Sequence, residues 1–170
     1  MNPIAIRNGL YLGASLIFTH AIALLVYQDL LFPGWLNNAL ITILFIIFQY
    51  KAANQLNTTT ENKSISNTIL TVLSVGAIGY FLFLIFKFIL FKYIDPSLSE
   101  GMREYALSTL DEYAEMFSFE AKDLRDAKEE IQTRDFSPTI MEYVKNFLGT
   151  MIFPNLILAL IVGAVFRRKL

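Results

Sequence analysis

The chain has 170 residues, a net charge of −1, 55% hydrophobic residues and a mean hydropathy of +0.48. Only 17% of its residues are charged, against about 25% in an average soluble domain, and 20 of the 29 charged side chains fall within residues 92–145. These figures exclude a water-soluble globular domain, a disordered chain and a basic nucleic-acid binder. The lack of cysteine excludes a disulfide framework or a thiolate metal site.

A hydrocarbon layer about 30 Å thick needs about 20 apolar residues in a helix. Four segments meet that requirement: residues 4–27, 35–53, 69–91 and 147–166. The first continues past the small residues Ala21 and Ala23 through Leu24, Leu25, Val26 and Tyr27, too long for a signal-peptide core, and is read as a retained helix. Pro33-Gly34 separates it from the second. The third carries one charge, Lys87, and the fourth carries none before Arg167-Arg168-Lys169. No alternating strand pattern occurs, so helices rather than a barrel are expected.

With four spans both termini share one side with the loop at 54–66. Arg7, Lys51, Lys63, Arg167, Arg168 and Lys169 flank that side. The first loop opposite has Asp29 and no basic residue. The long second one has seven basic and thirteen acidic residues within 92–145. Short flanks weigh more than long loops under the positive-inside rule, so both termini are expected in the cytoplasm. Tyr27, Trp35, Tyr93 and Tyr143 are expected at the outer interface, and Tyr50 and Phe166 at the inner one.

Residues 95–137 are expected to form an extracytoplasmic amphipathic helical hairpin between the third and fourth spans. Asp95-Pro96 reads as an N-cap with proline in the first turn. Leu98, Met102, Tyr105, Ala106, Leu110, Tyr113 and Phe117 then recur at three- and four-residue spacing. Ser118 reads as a second N-cap, followed by a thinner stripe of Phe119, Leu124, Ala127 and Ile131. Ser137-Pro138 opens the last helix. The stripe is more apolar than its hairpin partner can cover, which marks Tyr105, Tyr113 and Phe117 as a docking surface.

No catalytic site is expected. His20 stands alone, which cannot make a metal site, and reads as a hydrogen bond to a neighbouring helix. Lys87 and Arg7 read as interface anchors. No Asp or Glu falls inside a span, which argues against a coupled transporter. Asp111, Glu112, Glu115, Glu129 and Glu130 read as a solvated face, with Lys122, Arg125 and Lys128 as partners at helical spacing. P-loop, GxGxxG, GxSxG and HExxH patterns are absent, so no cofactor or metal is expected. Gly9, Gly13, Gly76 and Gly79 are small residues of the kind that let membrane helices approach closely. Pro154-Asn155 is a kink whose amide needs a partner in hydrocarbon.

The order of elements resembles one family of small bacterial inner-membrane proteins known as domain of unknown function 4199. The likeness rests on Asn8-Gly9 with Gly13 opening the first span and on Lys92-Tyr93-Ile94-Asp95-Pro96 closing the third. The acidic insert containing Tyr113-Ala114-Glu115-Met116-Phe117-Ser118 and the basic tail Arg167-Arg168-Lys169 complete it. The resemblance implies a bacterial inner membrane and transfers no site residues; this chain departs from the pattern in a longer, more aromatic insert. Three functions compete: a non-enzymatic accessory or assembly subunit that docks a membrane-protein partner or a second copy through its insert; a lipid- or glycolipid-handling protein supporting a lipid-linked transferase or lipid movement; and, least favoured because no catalytic motif is present, an enzyme using the outward carboxylates. Beyond these, the bilayer is the expected partner and nucleic acid is not.

Overall fold

The computed structural model describes residues 2–32, 34–59, 64–150 and 154–167. Among them the chain is helical, with no strand. It divides into two units: residues 1–86 with 141–170, and residues 87–140.

The first unit is a bundle. α1 (Pro3–Val26) begins with Asn2, whose side chain accepts the Ile4 N–H, and with proline in the first turn. A 3₁₀ turn at Gln28–Leu31 leads to α2 (Trp35–Thr59), and α3 (Ile65–Ile89) follows. At 1.5 Å per residue each is about 36 Å long, enough to cross a bilayer. These three are long and apolar enough to span. α2 runs one and a half turns past the expected end at residue 53, because polar residues after Ala53 are tolerated where a helix leaves hydrocarbon.

The fourth apolar segment, expected as one span at 147–166 with a kink at Pro154, is described on either side of residues 151–153, which lie outside the described residues. α6 (Ile140–Thr150) precedes them, Pro154 and Asn155 have π-helical backbone, and α7 (Leu156–Arg167) follows. Proline has no N–H to give and its ring clashes with the preceding turn, so regular α-helical hydrogen bonding is interrupted there. Each piece is about 17 Å long, roughly half a bilayer core.

The bundle core comprises Ala5, Leu12 and Leu16 of α1, Phe45 and Ala52 of α2, and Val75 and Phe83 of α3. A second cluster joins Ala53, Val72, Ala159, Val162 and Phe166. Small residues set the close contacts. A Cβ on Gly9 would lie 2.7 Å from the Ile78 Cβ, one on Gly13 3.0 Å from Leu82, and one on Gly79 2.6 Å from Leu12. Gly9, Gly13 and Gly79 thus bring α1 and α3 together inside one chain. Large apolar side chains such as Phe18, Ile47, Leu70, Phe81 and Ile161 face outward, the pattern of helices that are apolar all round.

The second unit begins at the end of the third span. After α3 the chain widens into a π turn at Leu90–Ile94, so the expected end at residue 91 falls inside it. α4 (Leu98–Phe117) and α5 (Ala121–Thr133) follow and pack on each other. Two expected caps are displaced. Asp95 does not begin α4: its carboxylate accepts the Ser97 N–H at 3.2 Å and the Ser97 hydroxyl at 2.5 Å, and the helix starts at Leu98. Ser118 ends α4 in a left-handed conformation (φ 53) instead of starting α5. Leu98 is buried, and Met102, Tyr105, Ala106 and Leu110 are half-buried. Lys128 pairs with Asp111 across the hairpin at 2.6 Å, rather than with a neighbour on its own helix. Phe136 lies between the guanidinium groups of Arg103 and Arg134, 5.8 and 5.6 Å from its ring.

Candidate functional site

Two places carry the unusual residues: a set of buried polar side chains in the bundle, and the tip of the α4–α5 hairpin.

In the bundle, Asn155 is 1% exposed. Its Oδ1 accepts from Gln49 Nε2 at 2.5 Å, and its Nδ2 donates to the Leu73 carbonyl at 3.1 Å. It therefore ties α7 to both α2 and α3. Gly76 makes the space: a Cβ there would stand 2.1 Å from Asn155 Oδ1. Tyr80 hydrogen-bonds Thr150, which fastens the end of α6 to α3. Of these residues sequence reasoning marks Gly76, Pro154 and Asn155 and misses Gln49. The available signal was a single amide in the apolar run Phe45-Ile46-Ile47-Phe48-Gln49. Gln49 Oε1 is buried without a hydrogen-bond partner among the described residues.

His20 is fully buried against Phe83, with ring centroids 4.4 Å apart. Its Nδ1 lies 2.9 Å from the Leu16 carbonyl, which can only accept, so Nδ1 carries a hydrogen. Nε2 lies 2.9 Å from Asn37 Oδ1; a neutral ring accepts there, which requires the Asn37 amide in its flipped orientation with the NH2 donating. The expected link to a neighbouring helix is thus present, with Asn37 of α2 as the partner that sequence reasoning missed. Asn8 lies three turns down α1, about 18 Å away, with the fully buried Leu12 and Leu16 between them. The polar groups on α1 are separate fasteners, divided by close-packed hydrocarbon.

The hairpin tip is different. The Ser118 and Phe119 N–H groups both donate to the Ala114 carbonyl, which satisfies the end of α4 and turns the chain sharply. Tyr113, Met116, Phe117 and Phe119 are left 51%, 69%, 65% and 44% exposed. The Tyr113 and Phe117 rings lie 6.3 Å apart. Glu112, Glu115 and Glu120 are exposed beside them. The fold therefore joins Tyr113 and Phe117 into one patch with Met116 and Phe119, and leaves out Tyr105, half-buried two turns earlier. Arg168 and Lys169 of the basic tail, Lys63, and the side chains of Asp29 and Arg167 lie outside the described residues.

Three long apolar helices, a further apolar segment and a helical hairpin define a multi-pass helical membrane protein. The sequence profile of the family described as "Protein of unknown function (DUF4199)" matches residues 7–168, and the chain belongs to that family. No curated protein and no solved structure matches it.

Proposed function

We propose that this chain is a non-enzymatic accessory or assembly subunit of the bacterial inner membrane that docks a membrane-protein partner through the α4–α5 tip. In this reading α6 and α7 together complete a fourth crossing, both termini are cytoplasmic and the hairpin is extracytoplasmic. The observation that carries it is the cluster of four exposed apolar side chains at a turn closed by the Ser118 and Phe119 N–H groups on the Ala114 carbonyl. Aromatic side chains are the usual anchors of protein interfaces. The bundle's polar side chains support a structural role, since Asn155 and His20 each join helices.

Co-purification in mild detergent tests the proposal. Tyr113→Ser with Phe117→Ser should reduce recovery of a stoichiometric partner at least tenfold, because anchor residues typically cost about 2 kcal/mol each, while membrane insertion is unchanged. Equal partner recovery, or loss of bound lipid in place of protein, would overturn it in favour of lipid handling.

A further inference from the structure

Where α1 begins and α2 ends, two cations share one seam. Arg7 and Tyr11 stand one turn apart on α1, and Lys51 and Gln55 one turn apart on α2. The antiparallel helices bring them into register. Arg7 Nη2 donates to Gln55 Oε1 at 3.0 Å, and Lys51 Nζ stands 5.8 Å from the centre of the Tyr11 ring. Arg7, Tyr11 and Lys51 are exposed. Neither cation meets a carboxylate among the described residues.

The seam is held from behind. Asn8, fully buried, donates from Nδ2 to the same Gln55 oxygen at 2.9 Å and to the Ile4 carbonyl at 2.9 Å. Gln55 is therefore held by Asn8 as well as by Arg7, and among the described residues the guanidinium's other donors meet no carboxylate. Lys51 is 16 residues along α2 from Trp35, about 24 Å, which puts it near the far edge of a 30 Å hydrocarbon layer. Orientation in the membrane needs only a count of positive charges. It does not require a guanidinium seated on a buried amide relay, with an ammonium one turn away on the adjacent helix.

We propose that this seam binds the phosphate of an anionic lipid headgroup. Arg7 presents planar paired donors to the phosphate oxygens and Lys51 a second, point-like charge. The Tyr11 ring lies 5.8 Å from the Lys51 ammonium and helps to place that charge beside Arg7. The site is independent of the hairpin tip.

The test is native mass spectrometry of the full chain in detergent, titrated with phosphatidylglycerol or with phosphatidylcholine of the same acyl chains. The wild type should prefer the anionic lipid, by about fivefold for each cation. Arg7→Gln with Lys51→Gln should bring the two lipids to parity. Lys51→Gln alone, at an exposed position, should lose about fivefold with an unchanged thermal transition. Lys128→Gln, on the hairpin, should have no effect. Equal affinity of the wild type for both lipids, or a preference that survives in the double variant, would overturn the proposal. Displacement of phosphatidylglycerol by millimolar inorganic phosphate would overturn the lipid assignment and leave a free-anion site.

Discussion

Gly76 has no side chain because Asn155 occupies the space where one would be, and this contact explains why an amide can be buried in an apolar bundle. Its oxygen and its nitrogen both find partners, on different helices, only if α3 lets α7 approach this closely. Gly76→Ala should destabilise the bundle by about 1–3 kcal/mol, the usual range for overpacking, as read by thermal unfolding in detergent. Adding Asn155→Ala should cost less than the sum of the two single changes, because the alanine removes the group that the new methyl meets. Strict additivity would contradict the contact. Both residues stand out in the sequence, one as a small residue in a span and the other after a proline. Their meeting does not, because it depends on the crossing of α3 and α7. Gln49 and Asn37 were missed for the same reason: an amide in a mostly apolar helix looks the same in sequence whether it faces outward or a partner.

Among elements, helices are easier to foresee than where they start. Apolar length marks the three long helices, and three- and four-residue spacing marks α4, but the caps at their junctions shift by two or three residues. Asp95 and Asp135 each precede a serine two positions on and accept its N–H, so each carboxylate closes a turn ahead of the helix rather than capping the helix itself. At Asp135 the Ser137 N–H, 2.8 Å away, with the Ser137 hydroxyl and Arg103, holds the carboxyl below its usual range. A depressed folded value means that the contribution to stability is present above the ordinary aspartate value, about 3.9. It is lost as pH falls through the lowered value. Protection of the Ser137 amide from hydrogen exchange, corrected for intrinsic rate, should therefore be retained above the ordinary aspartate value and lost as the pH falls through the lowered one. Asp135→Ala should remove that dependence. Protection that does not change with pH in the wild type would show the bond to be incidental. Pro154 was expected as a kink, and the backbone at Pro154 and Asn155 is π-helical. That Asn155 bonds to Gln49 of α2 and to the Leu73 carbonyl of α3 is something periodicity does not encode.

At the scale of the whole molecule, membrane character and family follow from composition and element order, while the membership of the exposed apolar patch, with Met116 and Phe119 in and Tyr105 out, follows only from the fold. The stripe on α4 is one continuous pattern in sequence. In three dimensions its first turns, Tyr105 included, are buried or half-buried, and its end at the left-handed Ser118 is exposed. The account's central claim is that this tip faces away from the cytoplasm, on the side opposite both termini. The chain has no cysteine, so single replacements give clean reporters. Ser118→Cys and Leu170→Cys, each labelled on intact cells with a membrane-impermeant maleimide, measure the claim directly. The account predicts labelling at residue 118 and, without permeabilisation, none at residue 170. Labelling at 170 with protection at 118 would contradict it.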